Sequence, residues 1–172
     1  MTTTLRALLA GLLLAHPALA DAEYPGSPAS VTAAYVEADG AGAALDSESL
    51  PKLLRYTSWD EAPGWDTAVV IKSYEIGAVG WNGDREKDGS TAVVEITYRV
   101  LGRLAGMQFI AEPAEEQVAF DLLRKDGRWQ LIKPQLAPHL TVSAAIHALE
   151  AAGAKDDATG KASLAQLRAL EK

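Results

Sequence analysis

The chain has 172 residues, a formal net charge of −7 and no cysteine. The acidic balance argues against a nucleic-acid or anionic-lipid partner, since both need a basic face. Without cysteine there is no disulfide, no thiolate chemistry and no thiol to lipidate, so the fold depends on its apolar core.

In chain order, the first segment reads as a targeting signal. Arg6 precedes the apolar run from Ala7 to Ala15, and Ala18-Leu19-Ala20 offers small residues for cleavage after Ala20. The run is too short to span a bilayer, and no later stretch is long and apolar enough. The expected location is periplasmic or secreted, with residues 1–20 removed. The remainder suits a single domain that buries about 70% of its unfolded surface.

Residues 21–28 read as an extended arm and residues 29–153 as one α+β domain. Ser30 is the expected cap of a helix with Val31, Ala34, Tyr35 and Ala38 on one face, stopped by Gly40 and Gly42. A second helix is predicted from Leu50 to Tyr56, with Ser49 as cap and Pro51 in its first turn. Trp59 and Trp65 then sit in a loop, either as ligand-stacking groups or, more ordinarily, as plugs at the core edge. A strand follows over Ala68–Val79, and Asn82-Gly83 begins a polar connection carrying the mixed charge run Asp84 to Asp88. Thr91–Leu101 alternates as a strand, Gly102–Gly106 bends it, Met107–Ala111 forms a short strand and Glu112–Glu116 turns the chain.

Val118–Pro134 carries the strongest local signal. Val118, Phe120 and Leu122 alternate with Ala119, Asp121 and Leu123, Asp126-Gly127 tolerates positive φ, and Arg128–Lys133 alternates again. The expected hairpin pairs Lys125 with Arg128, Arg124 with Trp129, Leu122 with Leu131 and Phe120 with Lys133. The chain then turns at Pro138-His139 and enters a helix with Val142, Ala145, Ile146 and Leu149 inward, ending at Gly153. Residues 154–172 read as a linker and a short helix or tail.

Two N-terminal helices, then strands closing in Val118-Ala119-Phe120-Asp121-Leu122-Leu123-Arg124 and Gly127-Arg128-Trp129-Gln130-Leu131, resemble the nuclear-transport-factor-two-like superfamily, the SnoaL-like cone proteins. The resemblance covers about Ser27 to Lys133. It implies a curved antiparallel sheet wrapped as a cone on the N-terminal helices, often enclosing a pocket and often dimeric, here with an added C-terminal helix. The superfamily includes ketosteroid isomerases, polyketide cyclases, dehydratases and members that catalyse nothing, so the fold cannot choose among them.

The faces of the strands make the choice. Burial of the more apolar face gives a pocket lined by Tyr35, Val94, Ile96, Tyr98, Phe120, Leu122, Trp129, Leu131 and His139. No Asp or Glu falls on the inner face in this register, and Glu95, Arg99, Asp121 and Gln130 form an outer polar patch. A one-residue slip would bring those four inside as an alternative polar site. Arg124 over Trp129 is a candidate cation–π pair. His139 and His147 lack a second histidine at ligand spacing, so no metal and no cofactor are expected. His147 and Glu150 read as an ordinary helix-surface pair, and His139 as part of a turn or a pocket rim.

These residues predict a non-catalytic exported binding or interaction domain, taking a small apolar molecule in the cone or a protein partner on the sheet, with a homodimer as one form. The alternative is an isomerase, cyclase or dehydratase using a pocket Asp or Glu as general base. Titration separates the two: a carboxylate inside the cone with a pKa raised toward neutrality would sink the binding-only reading, and Glu95 and Asp121 found in bulk solvent would sink the enzyme reading.

Overall fold

The computed structural model describes residues 24–59, 61, 64–81 and 90–171. The expected targeting signal and cleavage site, the start of the arm and the charge run after Asn82 lie outside the described residues.

The protein is α+β, with a curled five-stranded half-barrel sheet packed on helices. Helix α1 spans Pro28–Gly40 and is capped by Ser27 rather than Ser30. Ser30 instead completes a capping box: its amide donates to Ser27 Oγ at 3.2 Å and its Oγ accepts from the Ser27 amide at 3.0 Å. Pro28 at the first turn costs nothing there, because its missing N–H has no intrahelical partner to lose. Helix α2 covers Leu50–Leu54, and Ser49 makes no side-chain cap. The carboxylate of Asp46 accepts the Glu48 and Ser49 amides in its place.

Strands β1 (Thr67–Gly80), β2 (Thr91–Ala105), β3 (Gln108–Lys125), β4 (Arg128–Lys133) and β5 (His139–Thr141) are ordered β4-β3-β2-β1-β5. All neighbours are antiparallel except β1 and β5. The expected short strand, turn and hairpin arm are one continuous strand, β3, so Glu112–Glu116 does not turn the chain. Pro113 fits because the register jumps from Val100↔Ala114 to Gly102↔Ala111, leaving Pro113 in a bulge where no ladder donor is needed. Gly102 is required at the same place, since a Cβ there would lie 2.2 Å from the Ile110 carbonyl oxygen.

The β3–β4 turn has φ of 51° at Asp126 and 79° at Gly127, the positive pair that a two-residue hairpin needs. Lys125↔Arg128, Arg124↔Trp129 and Leu122↔Leu131 pair as expected. A register shift then places Lys133 opposite Asp121, not Phe120, with Nζ 3.1 Å from Asp121 Oδ2. Lys133 therefore does not rim the apolar face.

The sheet buries both faces, at different places. On the inner face, α1 and α2 bring Val31, Tyr35, Val36 and Leu53 against Val94, Ile96, Phe120, Leu122 and Leu131. Each fully buried large apolar side chain contributes roughly 1.5–3 kcal/mol. On the outer face, helices α3 (Val142–Ala151) and α4 (Ala158–Leu170) cover Ala68, Val70, Leu104 and Phe109. The final helix is docked. Ser163 Oγ accepts the Phe109 amide at 2.8 Å, and Gly160 lies so close to Ala154 that a Cβ would meet its backbone at 2.6 Å.

Candidate functional site

The inner face holds one polar cluster, built by α1, β2, β3 and β5. Asp39 stands four residues after Tyr35 and eight after Val31, so the three share the buried stripe of α1. Its carboxylate sits at the negative end of the helix dipole, an unfavourable place for an anion. The backbone N–H of His139 offsets this by donating to Asp39 Oδ2 at 2.9 Å. Burial dominates, however, and pushes the Asp39 carboxyl up to about 7, with that hydrogen bond pulling the other way.

His139 begins β5, where Val69↔His139 is a parallel pair, so it is a strand residue rather than a turn. Its ring stacks on Tyr98 with centroids 4.2 Å apart and planes at 26°. Nδ1 lies 2.9 Å from the Ala137 carbonyl oxygen, which fixes Nδ1 as the protonated nitrogen of the neutral ring. Nε2 is buried without a hydrogen-bond partner, 3.9 Å from Glu116 Oε2. Burial lowers the His139 pKa, while Glu116 and the Ala137 carbonyl raise it. Burial and the neighbouring Asp39 also hold the Tyr98 phenol above its ordinary range.

Glu116 comes from β3 directly opposite Tyr98 and on its face. Asp39 is 4% exposed, His139 2% and Tyr98 1%, whereas the Glu116 side chain is 35% exposed. The cluster thus reaches solvent on the Glu116 side. Tyr35 turns its ring to the aromatic wall, edge-on to Phe120 at 5.7 Å and to Trp59 at 6.0 Å. Trp59 Nε1 donates to the Ile132 carbonyl at 2.7 Å, which makes Trp59 a plug at the core edge; Trp65 is exposed.

All nine expected pocket residues are buried: Tyr35, Val94, Ile96, Tyr98, Phe120, Leu122, Trp129, Leu131 and His139. All but His139 belong to the one apolar cluster closed by α1 and α2. Glu95 and Arg99 are exposed on the opposite face, Gln130 is half-buried there, and Asp121 is engaged by Lys133. Glu116, opposite Tyr98 on β3, and Asp39, from α1, overturn the expectation that no Asp or Glu falls on the inner face. Both carry a signal: Asp39 lies on the Val31–Tyr35 stripe at helical spacing, and Glu116 has the parity of Val118, Phe120 and Leu122.

The cation–π contacts of the described residues place Arg55 over Tyr24 and Tyr56, and Arg128 over Tyr24, while the Trp129 ring lies beside Trp81. Glu150 pairs with Lys155 and Arg168. Among the described residues there is no group of three or more His, Asp or Glu placed to hold a metal, and no helix long and apolar enough to cross a membrane.

Beyond the reach of α3 and α4, the outer face of β1–β3 is polar and is not covered by any of the described residues. Two adjoining grooves run along it. One, of about 240 Å³, is lined by Gly77, Glu95, Thr97, Gln117 and Ala119 among others. The second, of about 320 Å³, is lined by Ser73, Tyr74, Glu75, Thr97, Arg99 and Glu115. Three carboxylates face a single guanidinium there.

No protein-family model matches this chain, and no curated protein or solved structure is significantly similar to it.

Proposed function

We propose that this is an exported, non-catalytic interaction domain of nuclear-transport-factor-two-like architecture, which binds a basic protein or peptide surface on the open outer face of its sheet. One observation carries the reading. The concave face is closed by α1 and α2 over fully buried Val94, Phe120, Leu122 and Leu131, while the convex face stays open and acidic. Glu75, Glu95 and Glu115 against Arg99 give that face a negative balance. A cationic partner is attracted to it, and a second copy would meet like charge. The pattern of residues 1–20 supports export.

Charge reversal tests the reading. A Lys/Arg-rich peptide should bind the wild-type chain with strong salt dependence, and Glu95→Lys with Glu115→Lys should weaken it about tenfold or more. Equal binding to both proteins would overturn the outer-face assignment.

A second reading rests on Asp39. A carboxyl pushed to about 7 beside two phenols has the acidity a general base needs near neutral pH. It supports an isomerase- or dehydratase-like enzyme if a substrate reaches the cluster past Glu116. Asp39-dependent exchange of the α-protons of a small ketone into deuterated water would establish that reading. Identical exchange by Asp39→Asn would dismiss it.

A further inference from the structure

We propose that the free edge of β1, residues 72–80, takes an extended peptide as a further strand of the sheet, one with apolar side chains turned inward and basic side chains outward. β5 reaches only part of this edge, pairing with β1 at Val69, Val70 and Ile71. Thr141 then caps α3, its hydroxyl accepting the Ala144 amide at 3.2 Å, and the chain leaves the sheet. Among the described residues, nothing pairs with β1 on that side beyond Ile71. At about 3.3 Å per residue the unpaired run is roughly 30 Å long, more than an ordinary strand covers. Its outward amides and carbonyls are a template for another strand.

The two edges of the sheet are finished differently. At the far edge β4 is closed by the loop after α2, where the Ser58 amide donates to the Leu131 carbonyl and the Leu131 amide to the Tyr56 carbonyl, each at 2.9 Å. Along β1 a groove of about 380 Å³ opens past Thr141 instead, in the lane a longer β5 would fill. Tyr74 forms one side of it, Val36 and Glu37 of α1 another, and Ala144 and His147 of α3 the third. Residues 73–76 keep an unbroken register with β2, and the bulges on either side blunt the rest of the edge against endless stacking.

The faces of the edge specify the occupant. Tyr74 and Ile76 pair with Tyr98 and Ile96, so they stand on the inner side, toward the apolar Val36 and Ala144. Ser73 and Glu75 pair with Arg99 and Thr97 on the outer side. Gly77 leaves Glu95 uncovered there, since a Cβ at Gly77 would lie 3.5 Å from that of Glu95. Paired strands share their faces residue by residue, so a peptide that alternates apolar and basic residues sets the first kind toward the groove and the second against Glu75 and Glu95. The basic half of this pattern rests on the acidic outer face proposed above; the backbone pairing does not. A second copy fits less well, because pairing β1 with β1 across residues 73–76 brings two Glu75 side chains together on one face.

The test uses the full chain and a short capped peptide alternating Val and Lys, with two derivatives N-methylated at every Val or at every Lys. In an extended strand the Val amides point to one edge and the Lys amides to the other, so one derivative loses its pairing edge and the other keeps it. The parent peptide should slow amide exchange at alternate residues of 73–76 severalfold, and one derivative alone should bind about tenfold or more weakly. Two derivatives that bind equally would overturn the added strand and leave the outer-face reading standing. So would an alternating peptide that fails to bind where a uniformly Lys/Arg-rich one succeeds. If Glu95→Lys with Glu115→Lys leaves the parent's affinity unchanged while the derivatives still differ, the added strand stands and the outer-face reading falls. Edge amides protected in the peptide-free chain, increasingly so with protein concentration, would assign the edge to a second copy and overturn the proposal.

Discussion

At Asp39 a carboxylate occupies the C-terminal end of a helix, inside an apolar core, with one backbone amide for company. Its pKa is raised from an ordinary 3.8 to about 7, so between those values the folded state holds more protons than the unfolded chain. Stability from this group is therefore fully present below about pH 4 and is lost as pH rises to 7. The loss amounts to a few kcal/mol, because each pH unit between the two values is worth roughly 1.4 kcal/mol. His139 has the opposite sign. Its pKa is lowered, so its contribution is present above about 6.5 and is lost as pH falls. Denaturant titrations from pH 4 to 8 should show Asp39→Asn without the alkaline loss, and His139→Gln without the acid loss. A wild-type profile that rises from pH 5 to 7.5 by as much as Asp39→Asn does would contradict the assignment for Asp39.

At the scale of elements, the β3–β4 hairpin is readable to the residue pair, because alternation, a turn dipeptide and length are all local. Asp126 and Gly127 take the positive φ values their identities allow, and Gly127→Ala should cost about 1 kcal/mol in equilibrium unfolding. The start of β3 is not readable. Pro113 and the acidic run around it look like a turn, and only pairing with β2 reveals a bulge in a continuous strand. Asp39 escapes a sequence reading for a related reason. Its spacing from Tyr35 is visible, but an acid beside Gly40 reads as a solvated helix end until β5 supplies a donor. The docking of α4 depends likewise on a distant strand. Ser163→Ala removes the acceptor of the buried Phe109 amide and should cost on the order of 1–3 kcal/mol, measured as a shift in the urea midpoint. No loss would mean that the amide finds another partner.

At the scale of the whole molecule, two helical layers divide the sheet. α1 and α2 close the concave face, and α3 and α4 cover one end of the convex face. Leu131, fully buried under α1 and α2, reports on that closure. Leu131→Ala should cost about 2–5 kcal/mol, read from the thermal or urea midpoint. A loss below about 1 kcal/mol would indicate a loosely filled interior. What remains open is the strip bearing Glu75, Glu95, Arg99 and Glu115. The apolar and polar faces are legible in the alternation of β2 and β4. The sealing of the concave face is not, since it depends on how deeply the helices enter the curve. The resemblance drawn from the hairpin likewise describes a cone without saying whether it is filled.

Amide chemical-shift mapping of the full chain with a Lys/Arg-rich peptide separates the two faces most directly. Binding on the outer face should confine the shifts to Glu75, Glu95, Thr97, Glu115 and Gln117, and high salt should abolish them. Shifts centred instead on Tyr98, Phe120, Leu131 and His139 would show that the cone interior opens to ligands, and would contradict it.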